Sequence, residues 1–261
     1  MNTKILSKNI TALLTGRGNN TLKDKNILPV LGKPLLSYPA QAAKEVKEIQ
    51  HFFVSSDDIN ILNIAAKLGY KKIKRPAKYA KPDSQHIDAL IHALKLIKQR
   101  EHFVPEILVV LLANSATIKS EWIKQGIDMI LEDENISAVV PVSLNQDYHP
   151  YRAKRLREDG SLDTFFDFDN IEVSTNRQDL EPSYFLCHNF WVLNVEKSLF
   201  SANGQKPWVF LGNNIKPIIV EGCFDVHDIE DLYKTQKWLE KNLYLDNSQV
   251  TDKSRGGGGL K

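Results

Sequence analysis

A short segment rich in glycine, asparagine and basic residues lies near the start of the chain. It reads LLTGRGNNTLKDKNILPVLGKPLL over Leu13–Leu36 and contains Arg17, Lys23 and Lys25. Glycine and asparagine tolerate positive φ, so successive backbone N–H groups can converge on an anion while the cations add charge. The segment therefore predicts a phosphate site, and the alternative is a solvated basic loop of the kind that many proteins carry.

The residues on either side of this segment indicate where it lies in the fold. The apolar run Ile10–Leu14 predicts a buried strand, and Pro34 is expected to begin a helix that continues to Val46. A loop that follows a strand and precedes a helix lies at the carboxyl edge of an α/β sheet, where ligands usually bind.

A second candidate site lies near the end of the chain, in the sequence FDVHDIED. Asp225 and His227 alternate there, so on a strand end their side chains point the same way. A carboxylate with a second ligand nearby can hold Mg²⁺ beside a polyphosphate. The alternative is that both residues only cap the C-terminal helix, for which Asp228 is also a capping candidate.

Two further segments combine polar and charged residues. RPAKYAKPDSQHIDALIHALK (Arg75–Lys95) places Arg75, Ser84 and His86 at or before the start of a predicted helix, and NRQDLEPSYF begins at Asn176. His92, Cys187 and Cys223 are interpreted as packed core residues. No Ser/His/Asp triad, dinucleotide fingerprint or Walker loop is present.

Composition narrows the class of protein. The 261 residues carry a net charge of +2, which is too small to argue for nucleic acid or an acidic membrane as a partner. No apolar run approaches the ~18 residues of a membrane span, and the N-terminus lacks a signal-peptide pattern. Two cysteines suit a reducing compartment, so we expect a cytoplasmic protein.

Short apolar runs alternate with helical patterns through the first half of the chain. This order predicts an α/β fold with a mostly parallel sheet and right-handed crossovers. Predicted strands are His51–Ser56, the edge-like YKKIKRP, Ile107–Ala113, Ser137–Ser143, Tyr184–Asn194 and Ile215–Glu221; predicted helices are Ile59–Leu68, Ser84–Lys98, Trp122–Leu131 and one after Asp228.

From about Gln146 the pattern changes to alternation with an Asp-Gly turn, which predicts a β-hairpin. We interpret residues 1–250 as one domain, residues 146–182 as an insertion or arm within it, and residues 251–261 as a tail outside the fold.

These segments, in this order, resemble the CMP-acylneuraminate synthetases, the cytidylyltransferases that activate nine-carbon acidic (nonulosonic) sugars. That family has an arginine-containing phosphate loop, a Lys-Asn pair and a Gly-Lys-Pro-Leu turn, matched here by Arg17, Lys25, Asn26 and GKPLL. VSSDD, RPAKYA with ALIHALK, HPYRAKRLREDG, NRQDLEP and FDVHDIEDL match later family segments. The resemblance covers roughly Ile10 to Leu239, and the order of the motifs is its strongest part.

The resemblance implies a Rossmann-like, three-layer nucleotidyltransferase (GT-A-like) fold with helices on both faces and a hairpin dimerisation arm. It implies cytidylyl transfer from CTP to the sugar, with Mg²⁺ as cofactor, in a homodimer. The implied nucleotide-binding residues are Arg17, Gly18, Lys23, Lys25, Asn26, Arg75, Ser84 and His86. The implied sugar-binding residues are Asn114, Arg177, Gln178 and His188, and the implied metal ligands are Asp225 and His227. Arg17, Lys25 and Asp225 are the implied catalytic residues.

The chain also departs from the family pattern. The phosphate loop is shorter and lacks Ser-Lys-Gly, and a sugar-holding glutamine is replaced by Ala113, with Asn114 and Ser115 as candidate substitutes. His188-Asn189 stands where the family has Asn-Gly, and His227 replaces an aspartate on the metal side. Two alternatives therefore stay open: a sugar nucleotidyltransferase of another specificity, such as one acting on an eight-carbon keto acid, and a non-catalytic nucleotide-binding protein.

Overall fold

A computed structural model describes residues 8–18, 20–168, 172–201 and 203–252, with backbone alone described from residue 243 onward. Its strands in chain order are β1 (Ile10–Thr15), β2 (Pro29–Val30), β3 (Lys33–Pro34), β4 (His51–Ser56), β5 (Lys71–Lys74), β6 (Ile107–Leu112), β7 (Ala138–Leu144), β8 (Lys154–Leu156), β9 (Leu162–Thr164), β10 (Tyr184–Leu186), β11 (Phe190–Asn194) and β12 (Ile215–Ile219). Its α-helices are α1 (Ser37–Lys44), α2 (Ile59–Lys67), α3 (His86–Glu101), α4 (Ser120–Glu132) and α5 (Ile229–Asp252).

Within the described residues the main sheet has eight strands in the order β10-β7-β11-β6-β1-β4-β5, with β12 paired to β7. Strands β10 and β11 run against the other six. The prediction of a mostly parallel sheet is therefore confirmed, with β5 at one edge. The antiparallel β11 lies between β6 and β7, a position that strand order along the chain did not predict.

Helices cover both faces of the sheet, as the three-layer fold requires. Successive residues of β1 point to opposite faces: Leu14 packs in one buried cluster with helices α1, α2 and α4, and Leu13 packs in another with α3. Burial on both faces explains why β6, ILVVLL, is wholly apolar.

The C-terminal helix α5 packs on a smaller cluster formed by Val30, Leu35 and Leu239. Asp228 caps it, because Oδ1 of Asp228 accepts a hydrogen bond from the N–H of Asp231 at 2.9 Å. The cap prediction for Asp228 is confirmed.

The expected helix start at Pro34 is wrong. Pro34 belongs to β3, which pairs with β2 through a turn at Leu31 and Gly32, both with positive φ. Because Pro34 lies in this small hairpin, helix α1 begins at Ser37, three residues after Pro34. It ends at Lys44 instead of Val46.

The expected single strand over Tyr184–Asn194 is also wrong. Residues 187–189 separate β10 from β11, which pair with different parts of β7. The remaining predicted elements of the main sheet are present with their ends shifted by a few residues, which is the ordinary error of pattern-based boundaries.

The predicted hairpin is confirmed. Strands β8 and β9 form a separate two-stranded sheet joined at Asp159-Gly160, where Gly160 has a φ of 82°. Residues 169–171 of the proposed 146–182 arm, and residues 253–261 of the proposed tail, lie outside the described residues. None of the helices in the described part of the chain is long and apolar enough to cross a membrane.

Candidate active site

Parallel strands bring four loops to one edge of the sheet. Thr15 of β1 is in register with Ser55 of β4 and with Leu112 of β6, and Ser56 is in register with Lys74 of β5. The residues that follow these strands therefore meet at the carboxyl edge. They line a cavity of about 210 Å³, which contains seven residues predicted from the sequence: Arg17, Lys25, Asn26, Arg75, Ser84, His86 and Asn114.

Asparagine side chains shape the opening loop. Asn26 is buried and its Nδ2 donates to the carbonyl of Arg17 at 2.8 Å, and Nδ2 of Asn20 donates to the same carbonyl at 2.6 Å. The N–H of Gly18 donates to Oδ1 of Asp57 at 3.0 Å. The loop is thus held by its own amides and by the end of β4, which leaves the Arg17 side chain to reach the carbonyl of Lys81 at 2.9 Å.

Four cationic side chains line the cavity: Arg17, Lys25, Arg75 and Lys81. Arg75 is 6% exposed, and it donates to Oγ and to the carbonyl of Ser55 at 3.2 and 2.8 Å. Burial lowers the pKa of Arg75 to about 10, with Asp57 opposing that shift, so the guanidinium stays charged at neutral pH. Burial also lowers the pKa of Lys25, against the attraction of Asp225. An anion in the cavity would favour the charged form of both side chains.

Ser84 and His86 also line the cavity. Oγ of Ser84 donates to the carbonyl of Lys78 at 3.1 Å and accepts from the N–H of Lys81 at 3.0 Å, so Ser84 organises the loop before α3. Nε2 of His86 lies 3.0 Å from Oγ1 of Thr15.

His86 shares a hydrogen bond with Thr15. The hydroxyl of Thr15 lies 3.0 Å from Nε2 of His86 and 3.3 Å from the carbonyl of Leu111, so it can donate its single hydrogen to either acceptor; the neutral ring of His86 has one donor and one acceptor nitrogen. Burial, reinforced by the charge of Arg75, lowers the pKa of His86 to about 3. His86 is therefore a neutral residue of the site.

Asp225 lies beside the cavity and is tied to it by Asn114, whose Nδ2 donates to Oδ1 of Asp225. Nε2 of His227 lies 3.1 Å from Oδ2. Burial raises the pKa of Asp225, and the charges of His227, Lys25 and His188 oppose that effect. The same carboxylate in turn opposes the burial that lowers the pKa of His188.

The expectation that Asp225 and His227 end a strand is wrong. The last strand stops at Ile219, and Gly222, with a φ of 68°, turns the chain back toward the cavity. The two side chains nevertheless meet, and neither caps α5, because Asp228 does so.

Some predicted residues lie away from the cavity. Lys23 is exposed, and Arg177 and Gln178 are exposed on a short 3₁₀ turn, where Arg177 pairs with Asp147. The structure does not bring Arg177 and Gln178 together with Asp225, so their sugar role stays a prediction. His188 is half-buried between the rings of Trp191 and Trp208.

Sequence reasoning missed several residues that line the cavity. They are Thr15, Asn20, Tyr79, Lys81 and Gln85. Tyr79, Lys81 and Gln85 belong to the segment RPAKYAKPDSQH, which was singled out for other residues. Their position in a polar loop directly before a helix was the available signal. Thr15 directly follows the predicted strand Ile10–Leu14, and its position at the start of the basic loop was the signal there.

Asp225 is the carboxylate beside the cavity that could hold a metal ion. Within the described residues no group of three or more His, Cys, Asp or Glu side chains gathers as a metal site. Mg²⁺ bound with a nucleotide commonly takes one or two carboxylates, with phosphate and water oxygens completing the octahedron. The carboxylate of Asp225 would fit that pattern as one such ligand.

An α/β sheet with a cationic cavity at its carboxyl edge and a carboxylate beside it can bind a polyphosphate. The family model described as Cytidylyltransferase matches residues 17–184. The chain belongs to this cytidylyltransferase family and is a nucleotidyltransferase.

Relatives in sequence carry consistent names at low identity. The pseudaminic acid cytidylyltransferase of Campylobacter jejuni is 25% identical over 68% of this chain and 74% of its own length. The CMP-N,N'-diacetyllegionaminic acid synthase of Legionella pneumophila is 23% identical over 89% of this chain and 97% of its own length. A two-part Helicobacter pylori protein, named as a pseudaminic acid cytidylyltransferase and a hydrolase, is 25% identical, and the match spans only 32% of its length.

Solved structures share the fold. CMP:2-keto-3-deoxy-manno-octonic acid synthetase complexed with CTP has a TM-score of 0.64 at 13% identity, covering 90% of this chain and all of that one. A 4-diphosphocytidyl-2C-methyl-D-erythritol synthase from Anaerococcus prevotii has a TM-score of 0.60 at 16% identity, covering 92% of this chain and all of that one. At these identities the likeness establishes the α/β fold.

Proposed function

We propose that the protein transfers a cytidylyl group from CTP to the anomeric hydroxyl of an acidic nonulosonic sugar, giving a CMP-sugar and pyrophosphate. The observation that carries this proposal is one cavity at the carboxyl edge of the sheet, lined by Arg17, Lys25 and Arg75 and bordered by Asp225. The names of the relatives support the nonulosonic acid as acceptor.

In this reaction the hydroxyl oxygen forms a bond to the α-phosphorus of CTP, and the bond from that phosphorus to the bridging oxygen breaks. Pyrophosphate leaves and the hydroxyl proton is released. The protein's contribution is to position the two substrates and to neutralise developing charge. Arg17 and Lys25 bind the triphosphate, and Arg75, held by Ser55, fixes the nucleoside end of the cavity.

His86 and Ser84 face the base or the ribose. The acceptor nitrogen of the neutral His86 ring suits an exocyclic amino group, which cytosine has and uracil lacks. Because the pKa of His86 is about 3, the ring keeps this acceptor across the physiological range. The protein should therefore bind CTP more tightly than UTP.

We propose Mg²⁺ as the cofactor, with Asp225 as its protein ligand and His227 or Asp228 as a second ligand. When bound, the ion supplies positive charge at the phosphates. We propose that His188, whose pKa is influenced by the charge of Asp225, contacts the sugar. A cytoplasmic location fits the two free cysteines.

The test is pyrophosphate release from CTP with MgCl₂ and a panel of acidic sugars, including nine-carbon nonulosonic acids and eight-carbon keto acids. UTP, GTP and ATP run in parallel, and Asp225→Asn serves as the inactive control. Release with a nonulosonic acid and CTP is the expected result. Release only with an eight-carbon acid, or tighter binding of GTP or UTP than of CTP by calorimetry, contradicts the specificity. CTP binding without turnover on any sugar assigns a binding protein.

The proposal includes a homodimer built through the hairpin arm. Leu156 and Leu162 face each other across β8 and β9 and are 73% and 68% exposed, and Phe165 and Phe166 are exposed next to them. Exposed apolar patches of this kind mark interaction surfaces.

Sedimentation of a Leu156→Glu/Leu162→Glu variant tests the dimer. Two buried charges at a self-contact should shift the protein to monomer. Phe200→Glu is the matched control, because Phe200 is similarly exposed but lies outside the arm. A monomeric wild type, or an unchanged mass in the arm variant, contradicts the arm-mediated dimer.

A further inference from the structure

The loop after β6 makes an unusual number of polar contacts with the segment that carries Asp225. Asn114, Ser115 and Thr117 each hydrogen-bond to residues 224–226, more than a hundred positions away. We call these three side chains the bracket. The bracket connects the central strand of the sheet to the metal-side carboxylate.

Two members of the bracket fix the backbone. Oγ of Ser115 donates to the carbonyl of Phe224 at 2.8 Å, and Oγ1 of Thr117 accepts from the N–H of Phe224 at 2.9 Å. Ser115 and Thr117 are fully buried, so water cannot replace their partners, and losing either hydrogen bond would leave a buried polar group unsatisfied. Asn189 holds Thr117 in turn, because its Nδ2 donates to the carbonyl of Thr117 at 2.8 Å. The backbone of Phe224 is thus held on both sides.

Asn114 acts on the carboxylate itself. Its side-chain Nδ2 donates to Oδ1 of Asp225 and, at 3.4 Å, to the backbone carbonyl of Val226. The backbone carbonyl of Asn114 accepts from the N–H of Val226 at 3.0 Å. A side-chain amide has two N–H donors, and here both point to the Asp225 segment. A sugar carboxylate needs donors, so Asn114 in this arrangement has none left to offer it.

We propose that Asn114 is a positioning residue that orients the carboxylate of Asp225 toward the triphosphate, with Ser115 and Thr117 fixing the backbone beneath it. This inference rests on the proposed function, in which Asp225 is the metal ligand. It replaces direct sugar contact as the role of Asn114. Residues that orient a metal ligand in this way change metal affinity or activity by about 10–100-fold when they are removed.

Asn114→Ala tests the inference by separating turnover from substrate binding. We expect kcat to fall by about 10–100-fold while KM for the sugar stays near the wild-type value. Asn63→Ala is the matched control and should keep the wild-type kcat, since Asn63 is exposed on α2, accepts from Lys72 and does not line the cavity. A raised sugar KM with unchanged kcat would overturn the proposal in favour of direct sugar contact.

A second measurement does not depend on turnover. Calorimetry of CTP binding with and without MgCl₂ should show that the ion tightens binding to the wild type, and that Asn114→Ala loses this gain but keeps the metal-free affinity. An equal gain in the variant overturns the proposal. If Asn114→Ala does not fold, Asn114→Ser, which keeps one donor, replaces it and should show a smaller loss of the same gain.

The two measurements separate the failure of this inference from the failure of the proposed function. A wild type that releases no pyrophosphate with any sugar contradicts the proposed function, yet the calorimetric comparison still decides whether Asn114 acts through Asp225. A fully active wild type whose Asn114→Ala variant keeps both kcat and the magnesium effect contradicts this inference alone.

Discussion

Nζ of Lys25 donates a hydrogen bond to the backbone carbonyl of Val226 at 2.9 Å, across 201 residues of sequence. Lys25 comes from the loop after β1, and Val226 follows Asp225, so this bond joins the two halves of the candidate site. The bond also brings the Lys25 ammonium group close to Asp225. Burial lowers the pKa of Lys25, and the carboxylate of Asp225 acts in the opposite direction.

Lys25→Ala should weaken CTP binding and reduce turnover together, because it removes a phosphate-facing charge and loosens the segment that holds Asp225. The loss should correspond to about 1.5–3 kcal/mol, the range for hydrogen bonds to charged groups. Calorimetry and steady-state kinetics measure both effects. Lys23→Ala is the control, since Lys23 is exposed and does not line the cavity. Equal losses in the two variants would mean that only the total charge of the loop matters.

Arg17→Ala should weaken CTP affinity by about tenfold or more and leave sugar affinity unchanged. The reason is that Arg17 lines the cavity, anchored by the carbonyl of Lys81. Arg177→Ala should leave CTP affinity intact, because Arg177 lies on an exposed turn away from the cavity. CTP affinity that is unaltered in Arg17→Ala would make the opening loop purely structural.

Asp225→Asn should abolish turnover while the protein stays folded. The substitution keeps the shape of the side chain and removes the charge that a metal ion requires. Asp228→Asn provides the comparison, because asparagine still caps α5 and turnover should persist if Asp225 is the main ligand. Activity in Asp225→Asn with an undiminished magnesium requirement would transfer the role to Asp228 or His227. Circular dichroism establishes that both variants are folded.

His86 should make the folded protein less stable as the pH falls. Its pKa is about 3 in the folded protein, against about 6.5 for an unfolded chain, so below about pH 6.5 the unfolded state binds a proton that the folded state does not. The stabilisation is fully present above pH 6.5 and is lost toward pH 3, at up to about 1.4 kcal/mol per pH unit.

Urea unfolding of the wild type and of His86→Gln at several pH values measures this effect. The variant should show a flatter decline of unfolding free energy with falling pH than the wild type. Identical slopes would mean that His86 is protonated as easily in the folded state as in the unfolded one.

Much of the architecture and one end of the site followed from the amino-acid pattern alone. Apolar runs such as ILVVLL, alternating with amphipathic helices, predict buried parallel strands because both periodicities are local properties of the chain. The basic Gly/Asn loop after β1 could be placed at the carboxyl edge for the same reason. The cap at Asp228 and the Asp-Gly hairpin turn also depend on neighbouring residues only.

The tertiary structure alone decided how the distant parts combine. That Asn114 bonds to Asp225 and Lys25 to Val226 depends on contacts between residues more than a hundred positions apart, for which a single sequence contains no periodic signal. The insertion of β11 between β6 and β7 and the turn at Gly222 likewise follow from packing and long-range pairing. Local residue patterns determine elements and loops, whereas the orientation of a carboxylate inside a site is set by whichever distant donors the fold brings to it.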